Sequence, residues 1–151
     1  KEFFTARWSE EIFLELKRNL LEKGRLAAEV TEERIQQLQD LLPDAMVTPS
    51  KAALRAAKND PKDRHVVAAA ISSKAEFIVT LNLKDFEPLP AGITAMTPDV
   101  FLKQFADQEA DVIGVLEWVA SKWPQPPTVE HLLLKLEPFV PEFAAEVQRH
   151  L

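Results

Sequence analysis

Residues 60–86, DPKDRHVVAAAISSKAEFIVTLNLKDF, combine a capped helix, a short turn and a strand. Asp60 is suited to cap the helix, because its side chain can accept hydrogen bonds from the free N–H groups of the first turn. Pro61 follows at a position where a missing N–H costs nothing. The run at 77–80 is apolar, which is typical of a strand covered on both faces in a parallel sheet. The stretch therefore predicts an α/β fold.

Polar side chains follow this strand. In parallel sheets, chemistry gathers just beyond the carboxyl ends of the strands, and Asn82 and Asp85 lie there. Asp63, in the first turn of the helix, is placed to face the same point. Oxygen ligands that converge at such an edge suit Mg²⁺ or Mn²⁺. Each aspartate also has an ordinary structural explanation, since Asp63 can stabilise a helix N-terminus and Asp85 can form a turn.

The stretch resembles the PIN-domain ribonucleases, in particular the VapC-like toxins of type II toxin–antitoxin pairs. The resemblance rests on residues 60–65 and 79–86, and it extends upstream to WSEEI at 8–12 and to Glu15. It implies a PIN-like parallel sheet flanked by helices and metal-dependent hydrolysis of RNA phosphodiesters. It also implies Mg²⁺ or Mn²⁺ as the cofactor, RNA as the substrate and a small antitoxin protein as the partner.

The resemblance assigns the metal site to Glu15, Asp63 and Asp85. The same three residues, together with Asn82, are the candidate catalytic residues. Glu15 lies at the edge of the apolar face of its predicted helix, where an exposed glutamate is also common. Asn82 is expected to hydrogen-bond a water ligand of the metal or the scissile phosphate. His65 is expected to have a structural role beside the site rather than to act as a base.

Charge is distributed unevenly along the chain. The net charge of -6 argues against a protein that binds nucleic acid through its overall charge. Residues 1–90 carry 14 Lys and Arg against 15 Asp and Glu, whereas residues 91–151 carry 4 against 9. Basic residues cluster around Asp63, and Lys62 and Arg64 are the candidate RNA contacts. A solvated basic surface is the alternative, and Arg64 could equally pair with a neighbouring carboxylate.

Capping residues and apolar spacing predict the other elements of the first part of the chain. They are a helix over Glu10–Glu22 capped by Ser9, a helix over Glu32–Leu42 capped by Thr31, a small helix over 50–58, and a short strand over Ile93–Met96. Gly24 is expected to follow the end of the first of these helices.

From residue 98 onward the pattern is helical. Thr97 followed by Pro98 marks one helix start, Thr128 marks another, and residues 124–127 form a proline-rich connector. This acidic segment exceeds a minimal PIN domain and resembles the helical region appended in a longer VapC-like subgroup. We therefore predict a PIN-like domain over residues 1–97 and an α-helical C-terminal extension over residues 98–151.

Length and composition limit the class of protein. With 151 residues, 46% of them hydrophobic, the chain can build one good core. It has no cysteine, so it forms neither a disulfide nor a thiolate metal site, which fits a cytoplasmic protein. No apolar run approaches the roughly 20 residues that span a membrane, so we expect no membrane partner. A homo-oligomer is left open.

One departure from the PIN pattern concerns the first strand. PIN domains begin with a hydrophobic strand whose aspartate is a principal metal ligand, whereas this chain opens on Lys1 to Phe4 and has no Asp before Asp40. We therefore expect the chain as given to be an incomplete form of the enzyme with little nuclease activity by itself. We also expect an altered strand order, or other residues in the place of that strand. The alternative function is a non-catalytic, PIN-derived protein-interaction module.

Overall fold

The computed structural model describes residues 3–22, 27–122 and 127–151. Its helices and strands, in chain order, are α1 (Glu10–Glu22), α2 (Ala28–Leu41), α3 (Lys51–Ala56), α4 (Arg64–Ser73), β1 (Phe77–Val79), β2 (Thr94–Met96), α5 (Pro98–Lys103), α6 (Glu109–Ser121), α7 (Val129–Leu136) and α8 (Pro141–Gln148). Short 3₁₀ helices lie at Pro43–Ala45, Pro61–Asp63 and Leu83–Phe86. The predicted helix end at Gly24 and most of the proline-rich connector, at 124–126, lie outside the described residues.

Helix α1 covers the predicted range. The hydroxyl of Ser9 accepts a hydrogen bond from the backbone N–H of Ile12 at 3.4 Å, so Ser9 is the cap that the sequence predicts. Phe13 is buried, and its ring stacks on that of Trp8 with centroids 5.1 Å apart. Helix α1 packs against α2 and α4, so its position depends on both neighbours.

The prediction for α2 was wrong at its start. The helix begins at Ala28 rather than Glu32, and Thr31 is a buried residue inside it rather than its cap. The Thr31 hydroxyl donates a hydrogen bond to the carbonyl oxygen of Ala27 at 2.9 Å. A threonine can bond back to the carbonyl four residues earlier as readily as it caps a helix, and burial favours the first arrangement here.

The start of α4 also differs from the prediction. Asp60 accepts a hydrogen bond from the N–H of Lys62 at 3.1 Å, but the turn that it caps is the 3₁₀ helix Pro61–Asp63. The α-helix itself begins at Arg64. Its buried residues, at 67–70, are a valine followed by three alanines, and such small side chains allow close packing against α3.

Strands β1 and β2 form a small parallel sheet, which confirms the α/β class. The prediction that β1 is covered on both faces was wrong. Ile78 is 5% exposed, whereas Phe77 and Val79 are 40% and 44% exposed. In the part of the chain that the structure describes, the sheet has two strands of three residues each, and the face that carries Ile78 packs on a core. The other buried members of that core are Ala57, Val67, Ala70 and Phe86.

Residue contacts divide the chain into two compact units. The first unit comprises Phe4–Ile78 and Asn82–Ala95, and the second comprises Lys1–Phe3, Val79–Leu81 and Met96–Leu151. Each unit has a hydrophobic core of its own. The candidate site residues named above all belong to the first unit. The proposed domain boundary at residues 97 and 98 stays a prediction.

The second unit contains the predicted helix starts. Thr97 caps α5 by accepting from the N–H of Val100, and Thr128 caps α7 by accepting from the N–H of His131. Helix α5 packs on α8, and α7 packs on both α6 and α8. Within the described ranges, no helix is both long enough and apolar enough to cross a membrane.

Candidate functional site

Asp85 is bound from two sides. The Lys62 ammonium lies 2.5 Å from Oδ2 of Asp85, and the side-chain amide of Asn82 donates a hydrogen bond to the same oxygen. Lys62 also lies 4.0 Å from Oδ2 of Asp63. The hydrogen bond to Asp85 raises the pKa of Lys62 above its ordinary value, so Lys62 stays charged. Its ammonium therefore bridges two of the carboxylates that the sequence assigned to a metal.

Backbone contacts hold the segment after β1 against the segment that leads into α4. The carbonyl oxygen of Asp85 accepts hydrogen bonds from the N–H of Asp60 at 3.3 Å and from the side-chain amide of Asn59 at 3.2 Å. Phe86 is buried in the core of the first unit and anchors the same turn. These contacts explain why residues more than 20 positions apart in the sequence meet at one point.

Asp63 is the most enclosed of the predicted site carboxylates. Its side chain is 14% exposed, and it makes no capping hydrogen bond although it precedes α4 directly. Burial raises the pKa of Asp63, and the negative charges of Glu15, Asp85 and Asp60 raise it further, while Lys62 opposes the rise. Negative charge has therefore accumulated around this carboxyl group.

Glu15 faces His65. The Nε2 atom of His65 and Oε2 of Glu15 are 3.2 Å apart. Nε2 is buried, and the geometry of this contact is not that of a hydrogen bond. The contact becomes an ion pair when His65 is protonated. Glu15 thus belongs to the same neighbourhood as Asp63, which its charge affects, without contacting the Lys62 bridge itself.

Comparison with known proteins places this geometry in a family. A family model for the PIN domain matches residues 1–84. The chain belongs to the PIN-domain family. A protein of Mycobacterium tuberculosis named "Putative ribonuclease VapC50" is 42% identical over 101 residues, which is 64% of this chain and 60% of that relative. No solved structure matched.

The structure brings the predicted site residues of this PIN domain together only in part. Asp63, Asp85 and Asn82 meet through Lys62 and through direct contact, whereas Glu15 reaches them by its charge alone. Among the described residues, no three His, Asp or Glu side chains are close enough to hold one metal ion. The oxygen donors suit Mg²⁺ or Mn²⁺ by their chemistry, but Lys62 supplies the positive charge in this arrangement. The metal assignment stays a prediction.

The two predicted RNA contacts are both engaged within the protein. Lys62 is held by Asp85, as described, and the guanidinium Nε of Arg64 donates to the carbonyl oxygen of Asn59 at 3.1 Å. Arg64 therefore pairs with a backbone carbonyl, and the structure gives it no ion pair to any described carboxylate. Its contact with RNA stays a prediction.

Asn59 is a residue of the site that sequence reasoning missed. Asn59 is 2% exposed, and its side chain ties the segment that leads into α4 to the turn after β1 through its hydrogen bond to the carbonyl oxygen of Asp85. In the sequence, Asn59 is followed by Asp60 and Pro61, which indicates a loop and gives no hint of burial. Only the fact that a polar residue precedes the capped turn could have drawn attention to it.

Proposed function

We propose that the protein is a metal-dependent endoribonuclease that hydrolyses RNA phosphodiesters, and that it is the toxin of a toxin–antitoxin pair with a small antitoxin protein as its partner. Membership in the PIN-domain family and the similarity to a relative named as a ribonuclease support this proposal. The observation that carries it is the environment of Asp63. A partly buried carboxylate beside further carboxylates is costly to ionise, and such carboxylates are common at functional sites, which supports the proposal.

Glu15, Asp63 and Asp85 are the residues proposed to hold Mg²⁺ or Mn²⁺. To do so they would have to come closer together than in this structure, where no three metal-ligating side chains of the described residues are within reach of one ion. Such a cation, when bound, lowers the pKa of water and stabilises charge on a phosphoryl oxygen. In the hydrolysis, water adds to phosphorus, one P–O ester bond breaks, and the leaving oxygen takes up the proton. Asn82 holds the carboxylate of Asp85 in place by its hydrogen bond, which makes Asn82 a positioning residue.

The alternative function, a PIN-derived interaction module without catalysis, has one observation in its favour. Lys62 neutralises Asp85 internally, and the part of the chain that the structure describes contains no cluster of three metal-ligating side chains. A protein of this kind would bind a partner through the same fold and would not cleave RNA.

A cleavage assay separates the two functions. The purified chain is incubated with labelled single-stranded RNA in Mn²⁺, in Mg²⁺ and in a chelator. We expect cleavage in either metal and none in the chelator. The rate should be low, because the sequence predicts little nuclease activity for this chain by itself. Glu15→Gln should reduce the cleavage rate by at least about 100-fold, because it removes a charged ligand. Glu33→Gln, on the exposed surface of α2, is the matched control and should cleave like the wild type. A wild-type protein that cleaves no RNA in either metal would support the interaction module instead.

A further inference from the structure

A cleft of about 800 Å³ lies beside the candidate site, within the first unit. It is lined by residues of α1 on one side, and by the segment that leads into α4, the first two residues of α4 and one residue of α3 on the other. Its lining residues are Glu11, Leu14, Glu15, Arg18, Asn19, Glu22, Leu54, Pro61, Lys62, Arg64 and His65. The cleft thus runs from the Glu15–His65 contact along α1.

Arg18 and Asn19 lie one helical turn beyond Glu15. Residues three and four positions apart on a helix are surface neighbours, with about 5–6 Å between their Cβ atoms. Arg18 follows Glu15 by three positions and Asn19 follows it by four, and both line the cleft. A ligand that contacts Glu15 therefore meets these two side chains next.

The donors in the cleft differ in whether they are already used. Lys62 is bound by Asp85, and Arg64 donates to the carbonyl oxygen of Asn59. Across residues 3–22, 27–122 and 127–151, by contrast, nothing pairs with the side chain of Arg18 or Asn19 by a hydrogen bond or an ion pair. Their donors are oriented by the helix and remain available to a ligand.

The charge of Arg18 also decides what the α1 wall can accept. The other charged residues that α1 contributes to the cleft are the carboxylates of Glu11, Glu15 and Glu22. Without Arg18 the charged groups of this wall would all be negative, and with it the wall still carries more negative than positive charge, so Arg18 is the group through which this wall can attract a phosphate. With Arg18 it offers a planar guanidinium group, which suits bidentate binding of phosphate.

We propose that Arg18 binds a backbone phosphate of the RNA strand next to the bond that is cut, and that Asn19 hydrogen-bonds the sugar of the same nucleotide. The α1 wall of the cleft is thereby the substrate-binding track of the enzyme, and Lys62 and Arg64 face it from the opposite wall. This inference rests on the proposed function, because it takes RNA as the ligand. It assigns substrate binding to a helix face that the acidic site leaves unused.

The experiment measures RNA binding without cleavage. Fluorescence anisotropy with a labelled single-stranded oligoribonucleotide, in a chelator and over a series of salt concentrations, gives the Kd and its salt dependence. We expect Arg18→Gln to raise the Kd about tenfold, as the loss of a charge-assisted contact does. The slope of log K against log salt should become shallower by about 0.7, the value for one phosphate of a single strand. Arg18→Lys should keep the slope.

Arg34→Gln is the matched control. Arg34 is an exposed arginine of α2 whose contact is with Gln37, it does not line the cleft, and its loss changes the net charge equally. It should bind RNA like the wild type. In the cleavage assay, Arg18→Gln should raise KM and leave kcat within about twofold, because a contact made equally in the ground and transition states affects binding alone.

The outcomes distinguish this inference from the proposed function. If the wild type cleaves RNA and Arg18→Gln keeps the wild-type Kd, salt slope and KM, the inference is wrong and the proposed function stands. If the wild type neither binds nor cleaves RNA, both are wrong. A fall in kcat with unchanged KM would also contradict the inference, since it would place Arg18 in the chemistry and not in binding.

Discussion

Two helix starts in this protein have the same order of residue types, and their aspartates have different surroundings. In each, a capping residue is followed by proline and then by an aspartate in the first turn: Asp60, Pro61 and Asp63 in one, and Thr97, Pro98 and Asp99 in the other. The carboxylate of Asp99 accepts hydrogen bonds from two backbone N–H groups at the start of α8, at 2.9 Å and 3.3 Å. Asp63 makes no such bond, and burial raises its pKa.

This difference separates a structural carboxylate from a candidate functional one. Asp99 is a tertiary cap for α8, because its oxygens satisfy N–H groups that the helix leaves without partners. Asp63 lies among other carboxylates, whose charges raise its pKa, whereas the charge of Lys62 lowers it. Ionising an aspartate in such a place costs stability, so the comparison predicts that the contribution of Asp63 is to function.

The largest expected effect is on RNA cleavage, when the charge of Asp63 or that of Asp99 is removed. We expect Asp63→Asn to reduce RNA cleavage by at least about 100-fold, because it removes a proposed metal ligand and keeps the side-chain shape. Asp99→Asn should leave the cleavage rate unchanged, since Asp99 caps α8 in the second unit and is not one of the candidate site residues. The measurement is the cleavage rate of purified proteins in Mn²⁺, with circular dichroism as the check of folding. Full activity in Asp63→Asn would show that Asp63 is not a functional carboxylate.

A smaller effect concerns stability and should follow the opposite order. Asp99→Ala removes both hydrogen bonds to the start of α8, so its free energy of unfolding should fall by about 1–2 kcal/mol, as for the loss of a helix cap. Asp63→Asn should be at least as stable as the wild type. Urea denaturation followed by circular dichroism measures both variants. An equal loss of stability in the two would mean that Asp63 is also a structural residue.

The smallest effect is the pH dependence of Asp63. Its pKa in the folded protein is raised from 3.8, so ionisation is harder in the folded chain than in the unfolded one. The stabilising contribution of this group is therefore complete below its unfolded pKa and is lost as the pH rises through the folded pKa. Asp63→Asn does not titrate, so its gain in stability over the wild type should be larger at pH 7 than at pH 4. Urea denaturation at both pH values tests this. A gain in stability that is larger at pH 4 would contradict the raised pKa of Asp63.

Local signals predicted much of the fold. The range of α1 and its cap, Ser9, follow from a hydroxyl residue placed before two glutamates and an apolar face. The starts of α5 and α7 follow in the same way from Thr97 and Thr128. The prediction that Thr31 caps α2 was wrong, because its hydroxyl donates to the carbonyl oxygen of Ala27. The sequence around Thr31 does not distinguish this arrangement from a cap.

The candidate site was predictable as residues but not as an arrangement. The acidic residues Glu15, Asp63 and Asp85 stand out in the sequence beside a helix face, at a helix start and after a strand. The sequence gives no sign that Lys62 bridges two of them, because neighbouring charges on one turn can point in several directions. Nor does it indicate the buried contact of Asn59, which depends on how the turn after β1 packs.

The sequence by itself determined which segments are helices and strands and where most of them begin. Those features depend on interactions between residues a few positions apart, which the chain carries wherever it folds. The tertiary structure alone decided that one face of β1 is exposed, that Asp99 caps α8 and that Asp63 is enclosed while Arg18 is left open to a ligand. These features depend on contacts between residues far apart in the chain, whose outcome is set by packing and burial.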